Sequence, residues 1–221
     1  MSALDRMGAA LARKMEVNVH ADITAEDVLM SGQKLQYGGT VDILARRPNN
    51  LRMSLKMGPS SRELYYDGKT LTMDAPSLKM YASTAAPPTI REMLEMAQDQ
   101  YDLEVPLADL FMWSARPDFA AQVTSAFAAG KESIGGYTCD HYALRHKDVD
   151  WQVWIREGDN ALPCKLVITM THDPAMPQFS AIYRWSDEPP PGPEAFAFKA
   201  PADASPITFG MVKTASKGDR K

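Results

Sequence analysis

Four residues of the types that bind metal ions or move protons cluster around one predicted hairpin: His141, His146, Asp148 and Asp150. Side chains alternate along a strand, so His141 and His146, an odd number of positions apart, fall on opposite faces. That spacing does not build a shared metal site, and these residues read as polar hairpin positions. His172 and Asp173 would join them only through the fold. Cys139 stands two positions from His141 and shares its face, the relation in which a histidine can activate a thiolate. No orienting third group or oxyanion loop accompanies the pair, and Gly135-Gly136 reads as a hairpin turn. Phosphate loops of the GxGxxG or GxxxxGK type are absent from the sequence. Glu63, Asp67, Glu92, Glu95 and Glu104 show no spacing that singles out a carboxylate pair. The expectation is a non-enzyme with no catalytic residue, metal or cofactor; a thiol enzyme or hydrolase on Cys139 and His141 stands as an alternative.

The two cysteines, Cys139 and Cys164, permit one disulfide. A predicted strand, Trp151 to Arg156, lies between the strands that carry them. With strands about 4.8 Å apart, the two Cα atoms would be separated by roughly 9–10 Å, beyond the reach of about 7 Å for a disulfide. The spacing therefore favours two separate thiols.

The elements that must position any site are mostly strands. Leu51, Met53, Leu55 and Met57 alternate with Arg52, Ser54 and Lys56, so this stretch has one apolar and one polar face. Met15 to Ile23, Lys34 to Ala45, Trp151 to Ile155, Leu166 to Met170 and Phe179 to Trp185 repeat the pattern. Gly38-Gly39 predicts a bulge or bend. Asp67-Gly68 predicts a tight turn, and Phe196 with Phe198 a last edge element. Ala3 to Lys14 has helical periodicity with Ser2 as N-cap. After the stiff Ala85-Ala86-Pro87-Pro88 connector, Thr89 caps a second helix through Gln100, and Pro106 is placed to start a third ahead of Leu110 and Phe111. The fold class is α+β: a strongly curved antiparallel sheet of about ten or eleven strands, an incomplete barrel, wrapped around an N-terminal helix and a central helical insert. It forms one domain over residues 1–209, with the insert near 87–122 and a disordered tail at 210–221.

The chain has 221 residues, 45% of them hydrophobic, enough for a sizeable core. Its net charge of −4 argues against a nucleic-acid partner, which needs a basic surface. No apolar run reaches the roughly 18 residues of a transmembrane helix, and Met1 to Arg13 lacks the apolar stretch of a signal peptide.

Arg47-Pro48 followed by Leu51-Arg52, then Leu64-Tyr65-Tyr66-Asp67-Gly68-Lys69-Thr70-Leu71, resembles the LolA/LolB/LppX group of lipoprotein-localisation half-barrels. Leu103-Glu104-Val105-Pro106-Leu107, Asp150-Trp151-Gln152-Val153-Trp154-Ile155 and Leu162-Pro163-Cys164-Lys165-Leu166 resemble, more closely, a bacterial family of predicted periplasmic proteins of unknown function. That resemblance covers most of residues 3–200. It implies an exported protein whose signal peptide is missing from this sequence, a half-barrel and an apolar ligand cavity, and it supplies no activity. In the LolA group the arginine of the Arg-Pro corner hydrogen-bonds to the helical lid and helps keep the cavity closed; by motif position this is Arg47. The Pro-rich start of the insert and the absence of a lipobox cysteine argue against lipoprotein carriage in particular.

The expected function is non-enzymatic binding of a lipid, acyl chain or other hydrophobic ligand between the curved sheet and its helical lid in the periplasm. Met93, Leu94, Leu110, Phe111 and Trp113 of the insert would line the cavity with Met53, Leu55 and Leu64, and Arg47 would latch the lid. The same residues also suit a dry, solid core. A scaffold domain that binds an envelope protein through exposed aromatics such as Trp154 or Tyr65 is the alternative.

Overall fold

The computed structural model describes residues 2–113 and 123–210. The expected tail at 210–221, except Gly210, and the end of the insert at 114–122 lie outside them. The first half of the chain forms β1 (Glu16–Val28), β2 (Lys34–Arg46), β3 (Asn50–Met57), β4 (Ser60–Tyr66), β5 (Thr70–Ala75) and β6 (Met80–Ala85). The second half forms β7 (Ser125–Ile134), β8 (Tyr137–Arg145), β9 (Val149–Arg156), β10 (Pro163–Met170), β11 (Gln178–Trp185) and β12 (Ser205–Ile207). Among the described residues these make one open twelve-stranded sheet, in the order β12-β6-β5-β4-β3-β2-β1-β11-β10-β9-β8-β7. A sheet of this breadth curves, and it does not close into a barrel.

The order has a simple origin. Short turns produce two antiparallel meanders, β1 to β6 and β7 to β11. They join through β1 and β11, in register from Val19↔Trp185 to Ala25↔Phe179. The connection from β6 to β7 must therefore travel from near one edge of the sheet to the other. It carries α2 (Ile90–Tyr101) and the short α3 (Asp109–Met112). α1 (Ala3–Arg13) precedes β1, and Ser2 and Asp5 form the reciprocal cap that starts it. Thr89 caps α2 through the Glu92 N–H. The apolar stripes of α1 and α2 enter the same core as the inward residues of the strands, including Val19, Ile43, Met53, Leu64, Val153 and Ile155.

Several details differ from the sequence reading. There are twelve strands rather than ten or eleven, because Ser205–Ile207 adds to β6 in parallel. Phe196 and Phe198 are not edge-strand residues. Phe196 ends a 3-10 turn and is fully buried, while the Phe198 ring sits 5.4 Å from Tyr65 and 4.9 Å from Tyr81. Gly38-Gly39 makes no bulge, since the β1–β2 ladder runs through both glycines without a shift. Gly39 answers a close approach instead: a Cβ there would stand 2.3 Å from the Lys56 carbonyl oxygen. Pro106 does not start the third helix, which begins at Asp109 after a turn that holds Leu107 at φ 61°.

The largest correction concerns Cys139 and Cys164, which are joined in a disulfide with Cα atoms 6.9 Å apart. The register between β9 and β10 shifts between Pro163 and Lys165, so Cys164 sits in a bulge. A bulge bends its strand, and the regular two-strand spacing no longer applies at that point. The pair lies on the outer face of the sheet beside Trp154, in a small cluster separate from the main core.

Candidate functional site

The Arg-Pro corner follows β2. Strand alternation sends its two arginines to different places. Arg46 bonds to Glu16 at 3.1 Å and reaches the Pro190 and Pro191 carbonyls. Arg47 donates Nε to the Lys14 carbonyl at 3.3 Å and Nη2 to the Leu110 carbonyl at 3.4 Å. Its guanidinium carbon stands 5.1 Å from the centre of the Phe111 ring. Arg47 thus touches the end of α1 and the helical insert together. Partial burial lowers its pKa from the ordinary arginine value, and main-chain carbonyls supply the acceptors that a half-buried guanidinium requires. A second tie runs from β4 to the insert, where the Tyr66 hydroxyl donates to the Pro87 carbonyl. Burial, reinforced by Glu92 and Asp67, pushes the Tyr66 pKa up to about 12.

Beyond this corner lies a cavity of about 310 Å³. α3 and the residue after it contribute Asp109, Met112 and Trp113; β9, β10 and the turn before β9 contribute His146, Val149, Trp151, Leu166, Ile168 and Met170. The strand residues are in phase: Leu166 faces Val153, Ile168 faces Trp151, and Met170 faces Val149 across the ladder. Their side chains therefore share the inward surface. Met170 is 38% exposed and marks the rim. His146 meets Trp151 edge-on, with ring centres 6.1 Å apart. A much smaller void of about 20 Å³ lies beneath α1, among Met7, Leu11, Leu110, Val153 and Tyr183. Burial, with a smaller effect from Asp109, raises the Tyr183 pKa far above its usual value and keeps the phenol neutral.

The expected lining residues divide between these regions. Met53, Leu64 and Met93 are at most 2% exposed in the core, and Leu94, Leu110 and Phe111 are buried there too. Leu55 is partly buried against them. Trp113 lines both the cavity and the small void, and Leu110 lines the void. The sequence reading placed Trp151, Leu166, Ile168 and Met170 on one-sided strands but did not assign them to a cavity. Their alternation is plain in the sequence, whereas the part of the sheet that the described helices leave open depends on where α2 and α3 lie.

The cysteine–histidine pair does not form a thiol site. The Cys139 sulfur is bonded to Cys164 and offers no thiolate to His141. His141 stacks on Trp154 with ring centres 3.9 Å apart and bonds Gln152 at 3.0 Å. Among the described residues no three His, Cys, Asp or Glu side chains gather to hold a metal ion. Trp154, expected to be exposed, is only 4% so, covered by His141 and by Lys165, whose Nζ lies 4.5 Å from the indole centre. Tyr65 is half-buried under Phe198. Among the described helices none is long and apolar enough to cross a membrane.

Comparison with solved structures shows the fold of one mycobacterial lipoprotein, and two further structures align with lower scores. The Mycobacterium tuberculosis lipoprotein LppX aligns with a TM-score of 0.51 at 11% identity, over 84% of this chain and 94% of its own. LprF from Mycobacterium bovis aligns at 0.48 and 13% identity, over 92% and 96% of the two chains. A LolA superfamily protein from Nitrosomonas europaea aligns at 0.39 and 11% identity, over 89% and 96%. No curated protein matches the chain. The family model described as "Predicted periplasmic protein (DUF2092)" matches residues 1–210. The disulfide agrees with that compartment, since such bonds persist in the oxidising periplasm. The chain therefore belongs to the DUF2092 family of predicted periplasmic proteins.

Proposed function

We propose that this periplasmic protein binds, without catalysing a reaction, a lipid, acyl chain or other hydrophobic molecule in the cavity between α3 and the inward face of β9 and β10. The observation that carries this reading is the cavity itself. At about 310 Å³ it matches the lower end of the range for small-molecule sites, roughly 300–1,000 Å³, and its walls are mostly apolar. That size suits a single chain rather than a branched, many-tailed lipid. The sheet, curved around its helices, and the insert act as one domain over residues 1–209. Met53, Leu55, Leu64, Met93, Leu94, Leu110 and Phe111 belong to the packed core that holds the sheet and insert together, Trp113 meets the ligand, and Arg47 latches the insert against β2.

Binding such a chain would draw about 0.8 kcal/mol from each buried methylene, set against several kcal/mol of association cost. Weak to moderate affinity is expected. The test is titration of delipidated protein with a fluorescent fatty acid. Saturable uptake that is weakened by Ile168→Glu at the cavity wall supports the reading. No saturable uptake, together with no small molecule retained in native mass spectrometry of protein purified from its own cells, sinks it.

A further inference from the structure

We propose that Trp113 is a gate that divides one apolar channel into two chambers, so that its ring sets the longest chain the protein accepts. The inference rests on the ligand-binding reading above and adds a specificity-determining residue to it. The cavity near Met170 and the small void beneath α1 share three lining residues, Asp109, Trp113 and Leu166. Past Trp113 the void continues along Met7, Leu11 and Tyr183, all buried. At about 20 Å³ it has room for little more than a water molecule. Of the three shared residues Trp113 carries the largest side chain, and its indole stands at the boundary between this pocket and the larger one.

The ring is seated on α1 by two contacts. Its Nε1 donates to the Leu4 carbonyl at 3.3 Å. Its Cδ1 lies where only a glycine fits, because a Cβ on Gly8 would come within 2.8 Å of it. Leu4 and Gly8 are one helical turn apart and so present a single notch. Glycine is the poorest helix former after proline, yet Gly8 sits in the middle of α1, buried, between good helix formers. Accommodation of Trp113 accounts for it. On the far side the ring meets Trp151 edge-on, with centres 5.5 Å apart. A small outward movement of the indole would therefore trade the space of one chamber against the other.

The two seats give variants of opposite sign. Trp113→Ala removes the partition and joins the chambers. Gly8→Ala pushes the ring off α1 towards Trp151 and shortens the larger chamber. The experiment titrates wild type and both variants with saturated fatty acids of increasing length, by displacement of a fluorescent fatty acid. Affinity should rise about fourfold per added methylene until the chain meets the gate, then level off. The plateau should move to longer chains in Trp113→Ala and to shorter chains in Gly8→Ala. A plateau at the same length in all three proteins overturns the gate while leaving ligand binding intact. If wild type binds no chain of any length, the function proposed above fails, and crystals of Trp113→Ala under xenon pressure decide the gate separately. Xenon sites running from the Met170 side to Met7 and Tyr183 support it; xenon confined to one side, or absent, overturns it.

Discussion

Arg47 places Nη2 3.4 Å from the carbonyl oxygen of Leu110, sixty-three residues further along the chain. The same guanidinium bonds Lys14 at the end of α1. One side chain thus fixes the corner of the β2–β3 hairpin against both helical segments that enter the core. Loss of these bonds should be felt at the insert. Arg47→Ala should destabilise the protein by about 1–2 kcal/mol, the usual effect of removing charge-assisted bonds to half-buried carbonyls. Arg47→Lys should recover little of this, because a lysine lacks the planar fork that reaches two carbonyls at once. Urea unfolding of the three proteins measures both effects, and an unchanged midpoint in Arg47→Ala would show that the corner does not hold the insert.

Reduction of the Cys139–Cys164 bridge should weaken the second meander. The bond closes a segment with a sequence separation of 25, and loops of that order are stabilised by about 2–4 kcal/mol. The double variant Cys139→Ser, Cys164→Ser should lose a similar amount, and reductant should then have no further effect on it. Thermal melts with and without reductant check this. Both sulfurs are nearly inaccessible, at 0% and 2% exposure, so reduction of the native fold should be slow.

Asp74 should make the protein more stable in mild acid than at neutral pH. It is 7% exposed, and its Oδ1 has no hydrogen-bond partner. Burial raises its pKa first and Glu63 adds to the shift, with a bond from the Ala75 N–H in opposition. A carboxyl whose pKa is raised on folding holds its proton more tightly in the native state. Stability from this group therefore falls as pH rises from the ordinary aspartate range through the folded pKa, and stays low above it. Asp74→Asn should remove that loss and stabilise the protein at neutral pH by on the order of 1 kcal/mol. Denaturant midpoints of both proteins across the acid range provide the measurement; parallel curves would contradict the assignment.

Gly39→Ala should disturb the pairing of β2 with β3. The added methyl would stand 2.3 Å from the Lys56 carbonyl oxygen and 3.2 Å from the Met57 Cα, and both are main-chain atoms with no rotamer to change. A cost of about 1–3 kcal/mol is expected from such overpacking. Gly38→Ala serves as the control, because nothing lies within 4 Å of its would-be Cβ. Differential scanning calorimetry should separate the two; equal melting temperatures would rule out the close approach.

Features that depend on neighbours along the chain can be read from the residues alone. Alternation assigned the inward faces of β1 to β3 and of β9 to β11, since a one-residue slip would turn every apolar side chain to water. Ser2 and Thr89 announced two helices through their own hydroxyls. The positive φ values of Gly135 and Gly136 confirm a hairpin turn legible from the dipeptide. The corner arginine was legible as a motif, and its acceptor was not, because the Leu110 carbonyl belongs to a distant segment.

What lies over each face depends on contacts between segments far apart in the chain. The cysteine pair departs from the regular two-strand spacing because Cys164 sits in a bulge, and a bulge leaves no mark on the alternation. Trp154 and Tyr65 read as exposed because they point away from the main core, yet His141, Lys165 and Phe198 come from other strands or from the C-terminal segment to cover them. The cavity has the same character. Trp151, Ile168 and Met170 follow the same period as the packed residues of β1 and β3, and nothing local distinguishes them. Among the described residues, what separates a hollow wall from a filled one is where α1, α2 and α3 run out of side chains to fill it, and those helices lie far along the chain from the strands they cover.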